Sequence, residues 1–248
     1  NKISLNCAKT EIIFFDKPTQ HIEYPFKIKL NGHRLFPSDC IKYLGIYLDA
    51  TLSGKHHCNI LSSKLKRANG MLSKIRHYVP KEELKSIYYA IFSSHMTYGC
   101  QVWGQKSNST HVKEISKLQD KALRIINFKP FRATRNPIYM ESGIMKLEDF
   151  IKTQNCLLIH DYLHDTLPAC FKDNYFTKNT MEIQTRNVQL GCLFVPSKNT
   201  TTYGLESISQ QAIFNWNSSC QSHKKDLGGL SRYELKKLLN KTYLDNYQ

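Results

Sequence analysis

The residues of this chain best suited to chemistry are cations. Lys64, Lys66, Arg67, Lys74 and Arg76 lie in a stretch, residues 51 to 81, that holds no aspartate or glutamate. Lysine and arginine so placed neutralise phosphates and release the counterions condensed on a polyanion. The chemistry they offer is nucleic-acid binding through the backbone, which needs charge without sequence readout. Metal chemistry has a weaker basis. His160 and His164 of "HDYLH" stand one helical turn apart beside Asp161, an echo of the H-E-x-x-H zinc signature. A zinc hydrolase also needs a third ligand and a glutamate base, and aspartate is a methylene shorter, so two histidines near a helix end is the simpler reading. His56, His57 and Cys58 are adjacent, and neighbours on a helix splay by about 100° and cannot converge on one ion. No metal ligand is assigned. No glycine-rich phosphate loop and no Ser-His or Cys-His nucleophile pattern stands out. Tyr88, Tyr89, Phe92, Tyr98 and Trp103 could stack on bases, yet their helical spacing makes most of them packing residues.

The charge distribution points the same way. The 35 basic against 20 acidic residues give +15, and the surplus is concentrated: residues 1 to 50 hold 7 basic and 5 acidic side chains, residues 51 to 135 hold 16 and 4, and residues 136 to 248 hold 12 and 11. A basic block between two nearly neutral ones is the electrostatic footprint expected of a surface that meets a polyanion, the alternative on charge alone being a generally basic soluble protein.

The elements that must carry these residues change character along the chain. "EIIFF" (11 to 15) and "YPFKIKL" (24 to 30) read as strands, with Asn31-Gly32 as a hairpin signal, and "CIKYLGIYL" reads as another strand that breaks on a glycine. From Thr51 the period becomes 3.6. Leu61, Leu65, Ala68, Leu72 and Ile75 define one helix that Pro80 ends, and Leu84, Ile87, Tyr88, Ile91, His95 and Tyr98 define a second, closed by "YGCQVWG". A third helix fits 111 to 127, with Lys113, Lys117, Lys121 and Arg124 stacked one turn apart on its outer side. That stripe reads equally as a solvated face or as a binding face. Pro130 and Pro137 bracket a basic linker, "FRATRN". A fourth helix spans about 147 to 164, a less regular region runs to about 204, and two short helices fit 205 to 217 and 231 to 243. The expected class is α+β and mainly α: a β-hairpin patch over 1–50, a basic helical region over 51–130 and a mostly helical region over 131–248.

At 248 residues the chain can bury a core without staples, and no apolar run approaches the roughly 18 residues of a membrane span. No membrane partner is expected. The 8 cysteines are scattered, with no C-x-x-C pair, which suits free thiols in a reducing compartment and predicts an intracellular protein, nuclear or cytoplasmic. The chain opens on Asn1 rather than methionine and reads as a piece of something longer.

Several motifs in order carry a resemblance. "ISLNCAKTE", "IKYLGIYLD", "KLKRANGMLSKIRHYVP", "LKSIYYAIFSSHMTYGCQVWG" and "ISKLQDKALRII" together resemble the end of the reverse transcriptase domain of Jockey-like non-LTR retrotransposons. The resemblance implies a right-hand polymerase whose palm ends over residues 1 to 50 and whose helical thumb begins at 51. It implies that residues 1 to 15 match the last palm helix and strand, with Lys9 near the phosphates of the incoming nucleotide, where an ammonium can donate a proton to pyrophosphate. It implies that "KYLG", with Tyr43, Leu44 and Gly45, is a primer-gripping hairpin, and that Lys64, Lys66, Arg67, Lys74 and Arg76 face the minor groove of an RNA–DNA hybrid. The expected partners are an RNA template, an RNA–DNA or DNA duplex, and the upstream palm and fingers of a longer parent. The resemblance departs at Gly54, where the family usually carries tryptophan. Such polymerases hold Mg²⁺ with paired carboxylates, placed by the family in an Asp-Asp turn upstream, and no adjacent Asp-Asp occurs in this sequence. Catalysis is therefore expected of the longer parent, with Mg²⁺ bound there. The alternative is a non-catalytic nucleic-acid-binding or assembly module, a remnant of such an element.

Overall fold

In a computed structural model, residues 6–15, 27–105, 109–171, 175–177, 194–196, 198–199 and 201–248 are described. Two small antiparallel hairpins precede a bundle of helices. The mainly helical α+β class read from the sequence is the class observed.

In the first hairpin β1 (Lys29–Leu30) pairs with β2 (His33–Arg34) around Asn31 and Gly32, at φ 49° and 81°. Both central residues of such a turn must be left-handed, which Asn-Gly accepts at little cost. Residues 24–26 of the expected strand lie outside the described residues. The strand expected over 11 to 15 shrinks to one bridge, Ile12 to Pro37, because proline has no N–H with which to extend a ladder. The "ISLNCAKTE" segment shows a 3-10 turn at Cys7–Lys9 in its described part.

"CIKYLGIYL" is corrected from one strand to two. β3 (Cys40–Tyr43) and β4 (Ile46–Asp49) pair from Tyr43↔Ile46 to Cys40↔Asp49, and the chain reverses at Leu44 and Gly45, at φ 45° and 84°. A two-residue turn leaves the apolar alternation unbroken across it, and Leu44 is not a turn-forming type, so the periodicity hides the reversal.

Helix α1 (Lys55–Ile75) buries Leu61, Leu65, Ala68 and Leu72 against α5 (Thr110–Ile126), which Ser109 caps through Val112 N–H. Pro80, Glu82 and Glu83 start α2 (Lys81–Tyr88). The single second helix expected through Tyr98 is interrupted. A π-helical turn over Tyr89–Ser93 leads into α3 (Ser94–Thr97), the chain breaks at Tyr98 and Gly99, and α4 (Cys100–Trp103) follows. Gly99 is left-handed at φ 56°, and a Cβ there would run into Ile46 Cδ1, so the break sits where β4 packs on the bundle. The "FRATRN" linker ends sooner than Pro137. α6 (Arg135–Ser142) has Pro137 in its first turn, where no N–H is needed. α7 (Leu147–Leu163) occupies the expected span. The helix expected at 205 to 217 is α8 (Thr202–Leu205) followed by α9 (Ile208–His223), and α10 (Arg232–Asp245) begins with a capping box between Ser231 and Glu234.

Two apolar clusters fill the bundle. One joins α1 to α6 with Leu147 and Ile151 of α7, and the other joins Cys156, Leu157 and Ile159 of α7 to Phe176, Phe194, Trp216 and Leu235. α7 therefore runs through both.

Burial pushes the Cys58 and Cys100 thiols up to about 12 and Cys156 up to about 11, which withholds the reactive thiolate. Cys170 is exposed. Brief alkylation of the native protein at mildly alkaline pH is therefore expected to label Cys170 and spare Cys58, Cys100 and Cys156, with all four labelled in denaturant. Peptide mass spectrometry reads the result, and early labelling of the buried three would contradict this packing.

Candidate nucleic-acid interface

The junction between hairpin and helix is built on Asp49. Its Oδ1 accepts from Ser53 N–H at 2.7 Å and Thr51 Oγ1 at 2.8 Å, and its Oδ2 accepts from Gly54 N–H at 3.0 Å. Burial raises its carboxyl, but these hydrogen bonds outweigh that and hold it below the ordinary aspartate range. Gly54, at φ 68°, starts α1, a conformation a tryptophan would adopt only with strain. His57 is buried, and its Nδ1 accepts from Tyr47 N–H at 3.3 Å, tying α1 to β4. Burial, with Lys64 and His56 nearby, lowers His57 and favours the neutral ring able to accept that bond.

Tyr98 seats the hairpin tip. Its hydroxyl donates to Leu44 O at 2.6 Å, and a Cβ on Gly45 would stand 3.3 Å from the Tyr98 ring, so only glycine fits both the φ and the contact. The tip then projects Tyr43 and Leu44, which are 62% and 73% exposed.

Lys64, Lys66, Arg67, Lys74 and Arg76 of the acid-free stretch do not form one cluster. Lys64, Arg67 and Lys74, spaced along one edge of α1, line a groove of about 730 Å³ with Met71, closed on the other side by Ala90 and Ile91 of the π turn and by His95. Lys66 falls on the opposite edge and pairs with Glu114 at 2.7 Å, a carboxylate that also accepts from Ser62. Arg76, at the end of α1, donates to His77 Nε2 and stands over the Phe128 ring. Lys9 is exposed in its 3-10 turn. Of the aromatics, Tyr88, Phe92 and Trp103 are buried as expected for packing, while Tyr89 and Tyr98 are exposed.

The histidines of "HDYLH" are occupied. His160 Nε2 bonds Leu230 O at 2.8 Å and His164 Nε2 bonds Gly228 O at 3.1 Å, so both hold the loop before α10, and Asp161 pairs with Arg232 at 2.9 Å. Asp120 accepts from Tyr139, Asp149 from Tyr247 and Lys152, and no group of three His, Cys, Asp or Glu converges among the described residues. No helix among these residues is long and apolar enough to cross a membrane.

Sequence reasoning missed Asp49 and Tyr98 as the residues that position the hairpin. "DATLSG" carried a signal for the first, since Asp followed by Thr, Ser and Gly is an N-capping turn composition. The Tyr98 contact spans 54 positions and left none.

No protein-family model matches the chain, and no solved structure does. Curated relatives exist. Over 154 residues, 60% of this chain, it is 27% identical to the RNA-directed DNA polymerase from mobile element jockey of Drosophila funebris. Over 133 residues, 52% of the chain, it is 30% identical to the jockey polymerase of Drosophila melanogaster. Over 89 residues it is 36% identical to the probable RNA-directed DNA polymerase from transposon X-element of the same species. The matched stretches span only 16%, 14% and 10% of those proteins. The chain is thus related to part of the polymerases of jockey-like non-LTR elements, as its motifs imply.

Proposed function

We propose that this jockey-like segment is the palm end and thumb of a retrotransposon reverse transcriptase, which grips primer and template while a longer parent copies RNA into DNA. The observation that carries the reading is the hairpin tip. Leu44 holds a left-handed backbone that costs a non-glycine residue roughly 1–2 kcal/mol, and it spends that cost on a side chain left mostly in water. Strain kept at an exposed tip is accounted for if the leucine meets a partner, here the end of the primer strand. Lys64, Arg67 and Lys74, a few turns along α1, then meet phosphates of the hybrid. Lys9 would serve the incoming nucleotide, and Mg²⁺ would be held by carboxylates of the parent outside this chain. The site of action is intracellular, where template RNA and target DNA are found.

Replacing Leu44 with asparagine tests the proposal. Asparagine tolerates the left-handed turn, so Leu44→Asn is expected to raise stability by up to about 1 kcal/mol in thermal melts. The same change is expected to weaken binding of an RNA–DNA hybrid with a recessed 3′ end. A photo-crosslinker at position 44 should label the primer strand near that end. A gain in stability with binding unchanged, or label spread evenly along both strands, would remove the primer-gripping role.

A further inference from the structure

We infer that the outer face of α5 and the loop after it form a second site, which takes a single strand of nucleic acid, with a base stacked on Phe131 and phosphates on Lys117 and Lys121. Phe131 is 79% exposed, in the loop "NFKPFR" that also carries the exposed Phe128, Lys129 and Arg132. The loop is held rather than loose. Arg124 Nε donates to Ala133 O at 3.1 Å, Ala133 N–H donates to Pro130 O, and Phe128 adopts φ 55° with the Arg76 guanidinium 5.9 Å from its ring centre.

Beside the Phe131 ring lies a hollow of about 420 Å³ lined by Lys117, Leu118, Lys121 and Arg124, together with Glu114 and Asp120. Both carboxylates are already engaged: Glu114 by Lys66 and Ser62, Asp120 by the Tyr139 hydroxyl and, at 4.0 Å, by Arg135. Among the described residues Lys117 and Lys121 have no ion-pair partner, so the face carries uncompensated positive charge beside an open aromatic ring. That pairing selects the ligand. Phosphates satisfy the lysines in any nucleic acid, but only an unpaired strand offers a base face to the ring. The site shares no residue with the α1 groove, and it takes the binding reading of the α5 stripe at Lys117 and Lys121.

The test uses the whole chain and fluorescence anisotropy with a labelled oligouridine, an oligothymidine of equal length and an RNA–DNA hybrid. Phe131→Leu is expected to weaken single-strand binding by roughly 5-fold or more, the range of one lost stacking contact, and to leave hybrid binding unchanged. K117Q/K121Q should lower the salt slope for single strands by about 1–2. Loss for both oligonucleotides supports a site that reads base faces; loss for oligouridine alone supports one that also reads the sugar. Single-strand affinity unchanged in Phe131→Leu overturns the inference, as does an equal loss for the hybrid. Phe131 is exposed, so folding is not at stake, and photo-crosslinking of 5-bromouridine to the peptide 128–132 gives an independent reading; no crosslink there also overturns it. K64A/R67A/K74A, expected to weaken the hybrid and spare single strands, separates this site from the proposed thumb.

Discussion

Replacing Lys64, Arg67 and Lys74 together with alanine is expected to lower affinity for an RNA–DNA hybrid by roughly 10- to 100-fold at low salt, and to reduce the slope of log affinity against log salt by about 3, roughly one per residue. These three cations share the groove edge of α1, so a helical polyanion laid along it can meet all of them. A slope reduced by about 3 means that raising salt from about 50 to about 200 mM weakens the variant roughly 50-fold less than the wild type. Lys66→Ala is the internal control. Its ammonium is 2.7 Å from Glu114 on the other edge of the helix, and an exposed pair of this kind is worth at most about 1 kcal/mol to stability. Its removal is expected to change hybrid affinity less than about 2-fold. Equal losses for Lys66→Ala and for a single groove lysine would mean that the helix binds through diffuse charge and that the groove has no special part.

That distinction marks where the sequence stops being informative. The apolar period placed α1, α5 and α7 almost to their ends and the start of α2, because an amphipathic helix in a bundle repeats its buried face every 3.6 residues. The same linear reading merged Lys64 and Lys66 into one patch, although two positions on a helix differ by about 200° and the residues fall on opposite edges. Absence of acid was visible; the carboxylate that neutralises Lys66 was 48 positions away on another helix. The resemblance implied a hairpin at "KYLG", but the apolar period alone did not show the reversal, for a related reason. Its turn residues, Leu44 and Gly45, are held by Tyr98 from the bundle, while His57 anchors β4 through Tyr47 N–H, and these contacts lie far along the chain from the turn. The π turn over Tyr89–Ser93 was equally hidden, since one extra residue in a turn barely disturbs the apolar spacing.

Trp216→Ala is expected to cost roughly 3–5 kcal/mol, a large part of the roughly 5–15 kcal/mol that holds a typical domain together. Trp216 is fully buried at the centre of the second cluster, among residues from α7, α9 and α10, where no collapse could refill an indole-sized hole. The variant also creates its own reporter, because Trp103, in the first cluster, becomes the one remaining tryptophan. α7 supplies Leu147 and Ile151 to the first cluster and Cys156, Leu157 and Ile159 to the second within one helix, and Tyr243 of α10 packs against both. Loosening one end of α7 should therefore loosen the other. In urea titrations Trp103 fluorescence and far-ultraviolet circular dichroism are expected to shift together to lower denaturant. If instead Trp103 kept the wild-type midpoint while part of the helical signal melted early, the two clusters would be separate folding units, and the α1 groove would work without the C-terminal helices.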